Sequence, residues 1–261
     1  MKSQNLKKFY DKVYRRGEAR HYTKLRLAGG KLAADRRAVL EEMSWRGKTV
    51  LDVGCGTGET PYHIARRGAA RVEGIDYSHE AIEAANKMYR RGNLFFEQKD
   101  VKDVKEKFDV IITMGTLEHF DKPLALLKKF KAMLNPGGSI IVSSPNWSNP
   151  RGYILQTLRF LFNARITLAD IHYFTPIEFQ QFAKALKMKL AWRTVDQDWA
   201  HGEKLVRDFA HRLPNVARDS KLPTNKPRIA HFVKWIEEHV VPLERDTKFG
   251  GAIGVYHLRK Q

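Results

Sequence analysis

Val50-Leu51-Asp52-Val53-Gly54-Cys55-Gly56-Thr57-Gly58-Glu59 runs an apolar strand directly into three alternating glycines and then into a helical pattern. Backbone turns this sharply where side chains are out of the way, because glycine tolerates left-handed dihedrals and carries no Cβ to block an approaching ligand. Alternating glycines also serve ordinary tight turns, so the neighbouring sequence decides the reading. Asp76 ends the next strand-like run, 22 residues after Gly54, where nucleotide-binding sheets set a carboxylate for ribose hydroxyls. A dinucleotide fingerprint requires Gly-x-Gly-x-x-Gly/Ala, and Glu59 stands at the last of those positions. The loop therefore argues for a nucleoside-type ligand and against a nicotinamide or flavin dinucleotide.

Outward from this loop, strand-like runs alternate with helical ones: TVLDVG (49–54), ARVEGID (70–76), NLFFEQ (93–98), FDVIIT (108–113) and SIIVSS (139–144). Glu59–Arg67, Ser78–Arg91 and Pro123–Leu134 have the length and apolar spacing of crossover helices, with Ser78 as an N-cap and Asn135-Pro136-Gly137-Gly138 as the turn that stops the last. The alternation predicts an α/β fold with a parallel sheet covered on both faces. The remainder reads as an N-terminal helical arm over about 2–43, a mixed segment 145–187, a strand near Leu190–Val195, a helical insertion near 198–246 and a final strand Gly251–Leu258.

The chain has 261 residues, 43% of them apolar and 29% charged, enough for one substantial core. No stretch approaches the roughly 20 apolar residues of a spanning helix, and the opening residues lack the apolar segment of a secretory signal. Cys55 is the single cysteine, which excludes a disulfide framework and a multi-cysteine metal site and leads us to expect a cytoplasmic protein. The net charge of +18 is uneven: residues 1–48 carry 14 basic and 5 acidic side chains, 49–150 carry 14 and 13, and 151–261 carry 19 and 11. Two basic flanks around a neutral middle suit nucleic acid, an anionic membrane surface or an acidic substrate, and serve solubility equally well.

The glycine segment resembles motif I of the class I S-adenosylmethionine-dependent methyltransferases, hydrophobic-Asp-hydrophobic-Gly-x-Gly-x-Gly. The resemblance continues through Gly74-Ile75-Asp76-Tyr77-Ser78, Lys99-Asp100-Val101, Phe108-Asp109-Val110-Ile111, Leu117-Glu118-His119 and Leu134-Asn135-Pro136-Gly137-Gly138, and covers about residues 49–145. It implies a Rossmann-like seven-stranded sheet, mostly parallel with an antiparallel last strand. It divides the chain into an N-terminal helical arm or lid (1–47) and a methyltransferase domain (48–261) with insertions near 146–171 and 198–246. It also implies S-adenosyl-L-methionine as cofactor. Gly54, Cys55, Gly56 and Gly58 would lie under its methionine part, with Asp52 near the ammonium group. Asp76, followed by Tyr77, would take the ribose hydroxyls, Asp100 and the Val101 N–H the adenine, and Met114 and Gly115 would line the methyl side.

The Leu-Glu-His segment and Ser144-Pro145-Asn146 are most similar to the branch that methylates ubiquinone and menaquinone precursors, which implies a small, hydrophobic or lipid-linked acceptor methylated on O or N. His119, just past the fourth strand, is the candidate catalytic base, although a histidine there also serves to fix its loop. Some relatives in this branch hold a divalent metal with an extra carboxylate two residues before that Leu; Gly115 stands there, so no metal is expected. Tyr10, Tyr14, His119, Tyr153 and His172 are candidate acceptor contacts. Ile154, Leu155, Leu158, Leu161 and Phe162 fall on one helical face flanked by Arg151, Arg159 and Arg165, a pattern that suits either a peripheral contact with the inner membrane face or a lid buried in the protein. The competing readings are an RNA methyltransferase using the basic flanks and a non-catalytic cofactor-binding protein. No residue pattern specifies the acceptor atom or the oligomeric state.

Overall fold

Strands whose residues are apolar almost without interruption need cover on both faces, and that need organises the chain. The computed structural model describes residues 32–167, 169–223, 225–239, 241 and 248–260. Its seven strands are β1 (Thr49–Val53), β2 (Arg71–Asp76), β3 (Leu94–Gln98), β4 (Phe108–Met114), β5 (Leu134–Pro145), β6 (Lys189–Val195) and β7 (Ile253–Arg259). They form one sheet in the order β3-β2-β1-β4-β5-β7-β6. β1 to β5 pair in parallel, and β7 runs antiparallel to both β5 and β6. The expected mostly parallel sheet with an antiparallel last strand is thus observed.

Nine helices flank it among the described residues: α1 (Ala34–Glu41), α2 (Glu59–Arg66), α3 (His79–Met88), α4 (Pro123–Ala132), α5 (Pro150–Phe162), α6 (Pro176–Leu186), α7 (Gln197–His201), α8 (Glu203–Asp219) and α9 (Lys226–His239). None is long and apolar enough to cross a membrane. One face of the sheet packs Leu51, Ile111, Phe130, Phe179 and Tyr256, with the Phe179 and Tyr256 rings stacked 3.5 Å apart. The other packs Trp45, Val50, Ile64, Val110 and Ile112. A third cluster, Trp147, Leu155, Phe209 and Ile236, joins α5, α8 and α9 beside the sheet. Residues 1–31, most of the expected arm, lie outside the described residues; α1 is its end.

Local signals explain the element ends, and two expectations need correction. Ser78 caps α3 by accepting from the Ala81 N–H at 3.3 Å, as expected, but α3 stops at Met88 because Tyr89 turns extended and stacks on Tyr62 at 4.6 Å. Asn135–Gly138 does not terminate α4. The helix has ended at Ala132, and Leu134, fully buried, already pairs with Phe108. The four residues are an excursion within β5, after which Ser139 pairs with Val110, and Asn135 donates to Asp109 at 2.9 Å. Burial of an apolar side chain next to a free edge of β4 outweighs the turn preference of the dipeptides.

Gly58 opens α2 at φ +84°, and a Cβ there would lie 2.5 Å from the Phe96 ring. Gly58→Ala combines left-handed strain with overpacking and is expected to cost about 2 kcal/mol, which lowers Tm by about 4–8 °C for a domain of this size. Phe96→Ala introduced alongside should recover part of that loss in thermal melts; strictly additive losses would contradict the packing argument.

Candidate functional site at the carboxyl edge of the sheet

β1 delivers Asp52 and the glycine loop to the carboxyl edge, where open α/β sheets bind ligands. Gly54, Gly56 and Gly58 all have positive φ, at +78°, +54° and +84°. The Gly54 and Cys55 N–H groups donate to the Ile75 carbonyl at 2.9 and 3.1 Å, which ties the loop to β2. A Cβ on Gly54 would come within 2.5 Å of Thr116 Oγ1. Two of the three glycines therefore clear space for Thr116 and Phe96 of the protein itself, a reason the ligand-approach reading of the sequence did not contain.

Asp52 is 2% exposed, and its Oδ1 has no hydrogen-bond partner among the described residues. Burial first, and the Asp76 charge second, push its carboxyl up to about 8, against the opposing pull of Arg36. Asp76 accepts from the Gly56 N–H at 3.0 Å and the Ser78 N–H at 2.9 Å. Burial and the same two aspartates hold the Cys55 thiol well above its ordinary range, so it is a neutral small side chain here and no nucleophile. Arg36 of α1 pairs with Glu59 at 2.8 Å at the rim of this pocket. Sequence reasoning missed it, because nothing in the spacing ties α1 to the loop.

Further along the edge, Asp100 is half-exposed; it caps the short turn Val101–Asp103 by accepting from the Lys102 N–H at 2.9 Å. The Tyr77 carbonyl accepts from Gln98 at 3.0 Å. Met114 Sδ accepts from the Thr60 hydroxyl at 3.6 Å, and the Gly115 N–H donates to the Ser143 carbonyl at 2.8 Å.

The 3-10 turn Leu117–His119 carries the other half of the site. Glu118 is buried and accepts from the Ser144 hydroxyl at 3.2 Å. Its own carbonyl accepts from the Ile171 and His172 N–H groups, both at 3.1 Å, which draws the segment after α5 onto the turn. That places Asp170 Oδ1 3.5 Å from His119 Nδ1. Burial lowers His119 to about 4, so the imidazole is neutral at neutral pH. Burial, together with Asp170 beside it, holds the Glu118 carboxyl above the ordinary range; burial does the same to Asp170, with Arg151 and Arg212 pulling the other way. One ligand atom from each of Glu118, His119 and Asp170 lies within 4.8 Å of the others, a spacing one metal ion can span. The expectation of no metal rested on Gly115, and Asp170 now provides a third donor that no local pattern announced.

Other expectations fare differently. His172 is held by Phe120, its Nε2 2.9 Å from that carbonyl, and stacks on Phe174, so it braces the turn. Tyr153 is 60% exposed on the outer side of α5 and is not brought to the cluster. Tyr10 and Tyr14 lie outside the described residues. The predicted apolar face of α5 divides: Ile154, Leu155 and Leu158 pack into the third core, while Leu161 and Phe162 are 70% and 53% exposed, next to Phe160, which lay outside the predicted face and is 75% exposed. Arg151, expected to flank that face, is buried against Asp208 at 3.1 Å, because α8 packs alongside the first turn of α5.

A family model described as a methyltransferase domain matches residues 20–196. The ubiquinone biosynthesis O-methyltransferase of Neisseria meningitidis serogroup C is 37% identical over 116 residues, 42% of this chain and 48% of that protein. The chain thus spans about half the length of that relative. Among solved structures, a cyclopropane-fatty-acyl-phospholipid synthase-like protein from Lactobacillus casei superposes with a TM-score of 0.59 at 16% identity, over 87% of this chain and 89% of that one. An S-adenosylmethionine dependent methyltransferase from Mesorhizobium loti gives 0.54 at 13% identity, over 86% and 95%. These two likenesses show the fold.

A carboxyl such as Asp52, raised from 3.8 to about 8 on folding, binds more protons folded than unfolded between those values. Its stabilising contribution is complete below its unfolded value and is lost as pH rises through its folded one. Asp52→Asn should therefore raise Tm over the parent protein more at about pH 9 than at about pH 5. An equal change at both would show that Asp52 is not a buried, unneutralised acid.

Proposed function

The chain belongs to the methyltransferase-domain family, and from that premise we propose that it transfers the methyl group of S-adenosyl-L-methionine to an oxygen of a small quinol- or catechol-like acceptor. The observation that carries this reading is the buried Asp52–Asp76 pair beside the glycine loop, with Asp52 Oδ1 unpartnered among the described residues. A buried acidic pair of this kind is completed by a cationic ligand that also offers hydroxyl donors. S-adenosylmethionine supplies an electrophilic methyl group on a sulfonium, together with an ammonium and a ribose.

In this reading Gly54, Cys55, Gly56 and Gly58 form the floor under the methionine part and Asp52 faces its ammonium. Arg36, already at the rim, answers the carboxylate. Asp76 takes the ribose hydroxyls from its place at the end of β2 beside the glycine loop, and Tyr77 follows it along the same edge. Asp100 and Val101 frame the adenine, while Met114 and Gly115 border the methyl group. His119 and Glu118 lie on the acceptor side, and His172 braces them through Phe120. Alignment of an acceptor oxygen on the methyl axis is the main contribution such a site makes, about 7–11 kcal/mol in favourable cases.

The Neisseria relative, an O-methyltransferase of ubiquinone biosynthesis, supports an oxygen as the acceptor atom, and the exposed end of α5 supports delivery of the acceptor from a lipid surface. Phe160, Leu161 and Phe162 project there, and the Arg159 guanidinium lies 4.9 Å over the Phe160 ring and 4.4 Å over that of Tyr173. An apolar tip bearing a cation suits an anionic headgroup region.

Radiolabelled cofactor incubated with a prenylated catechol should give a methyl ether, and Asp76→Asn should weaken cofactor binding about ten-fold or more, the worth of a charge-assisted hydrogen bond. Label appearing in RNA and in no phenolic acceptor would overturn the acceptor class. Phe160→Asp with Leu161→Asp should abolish co-sedimentation with phosphatidylglycerol vesicles; unchanged sedimentation would remove α5 from the membrane contact.

A further inference from the structure

We infer that Glu59 is an internal competitor at the cofactor site: it holds Arg36, the guanidinium that a ligand's carboxylate must win from it, and so sets how tightly the amino-acid end of the ligand is bound. Its role rests on the proposed cofactor, whose carboxylate Arg36 answers in that reading. Glu59 is the first residue of α2, directly after Gly58, and its Oε2 lies 2.8 Å from Arg36 of α1. The Arg36 side chain is 37% exposed and that of Glu59 21%. An ion pair open to water to this extent is weak, and a second carboxylate can displace it.

The surroundings fit an exchange of partners. α1 is fastened to the sheet along its length: Asp35 accepts from the Ser143 hydroxyl at 3.4 Å, and the Ala38 carbonyl accepts from Arg193 at 3.0 Å. Glu42, just past its end, pairs with Arg193 at 2.9 Å and faces His257 at 3.6 Å. The helix therefore stays in place, and the exchange takes only rotation of the Arg36 side chain. Glu59 keeps a favourable position when Arg36 leaves, because a carboxylate in the first turn of a helix faces the positive end of the helix dipole. Arg36 also pulls against the raised carboxyl of Asp52, so one cation is divided between two acids. A zwitterionic amino-acid group brings an ammonium for Asp52 and a carboxylate for Arg36, which leaves Asp52 answered when Arg36 turns to the ligand. The spent cofactor carries the same two groups, so the competition weakens its retention as well.

Calorimetric titration of the full chain with S-adenosylhomocysteine, and separately with 5′-methylthioadenosine, which lacks the amino-acid part, isolates this end of the site. Glu59→Gln should tighten S-adenosylhomocysteine about three-fold, the scale of an exposed ion pair, and leave 5′-methylthioadenosine unchanged. Arg36→Gln should weaken S-adenosylhomocysteine about ten-fold, and adding Glu59→Gln to it should then bring no gain. Binding of 5′-methylthioadenosine reports whether each variant is folded. No gain from Glu59→Gln, an equal gain for both ligands, or a gain that survives alongside Arg36→Gln overturns the inference. Should Arg36→Gln fail to fold, crystals of the parent protein with S-adenosylhomocysteine decide. Arg36 turned to the ligand carboxylate, with its 2.8 Å contact to Glu59 broken, is the expected result, and an intact pair beside the bound ligand overturns the exchange. A parent chain that binds neither ligand sinks the cofactor reading and the competition with it, whereas parent-like affinities in folded variants sink the competition alone.

Discussion

Asp52 is buried near the end of β1 with its Oδ1 unpartnered among the described residues, and the candidate site is arranged around it. Asp52 is buried in a sheet whose neighbouring strand ends in a second aspartate, and the loop between them is nearly all backbone. Burying an acid without a partner is costly unless it stays protonated or meets a cation. The fold keeps this cost in place with extensive packing: β1 lies between β2 and β4 inside a seven-stranded sheet with a core on each face. The buried acid thus costs stability at one point, a cost commonly found at functional sites.

The insertions are integrated into this plan. α5, α8 and α9 build a third core of their own, and the buried set Arg151, Asp208 and Arg212 ties α5 to α8. Arg212 also donates to the Ile166 carbonyl at 3.1 Å, at the start of the segment that brings in Asp170. Removing Asp208 would take from two buried guanidiniums the carboxylate they share, which is far more disruptive than losing a surface ion pair. The insertions are therefore connected, through buried charge, to the segment that approaches the Leu117–His119 turn.

Much of this was legible in the sequence where signals are local. The alternating glycines, the run of five parallel strands, the carboxylate ending β2 and the Ser78 cap all depend on residues within one or two turns of each other. Long-range facts were not legible. The approach of Asp170 to His119 depends on backbone bonds to the Glu118 carbonyl, which no side-chain pattern encodes. Arg36 reaches the loop only because α1 packs over it. The α5 stripe read as one face, but only its first turns meet α8 and α9, so its last turn stays exposed. Asn135–Gly138 carried a strong turn signal, and the competing burial of Leu134 prevailed. Glycine spacing singled out this loop on the ground of ligand approach alone, whereas Thr116 and Phe96 occupy the room two of the glycines vacate.

The central claim is that the loop from Gly54 to Gly58, with Asp52 and Asp76, is built for an adenosyl sulfonium. Isothermal titration of the full chain with S-adenosylmethionine, and separately with an oxidised nicotinamide dinucleotide, tests it directly. One equivalent of S-adenosylmethionine binding saturably, with no heat from the dinucleotide, is the predicted result. No binding of the sulfonium, or tighter binding of the dinucleotide, would contradict it.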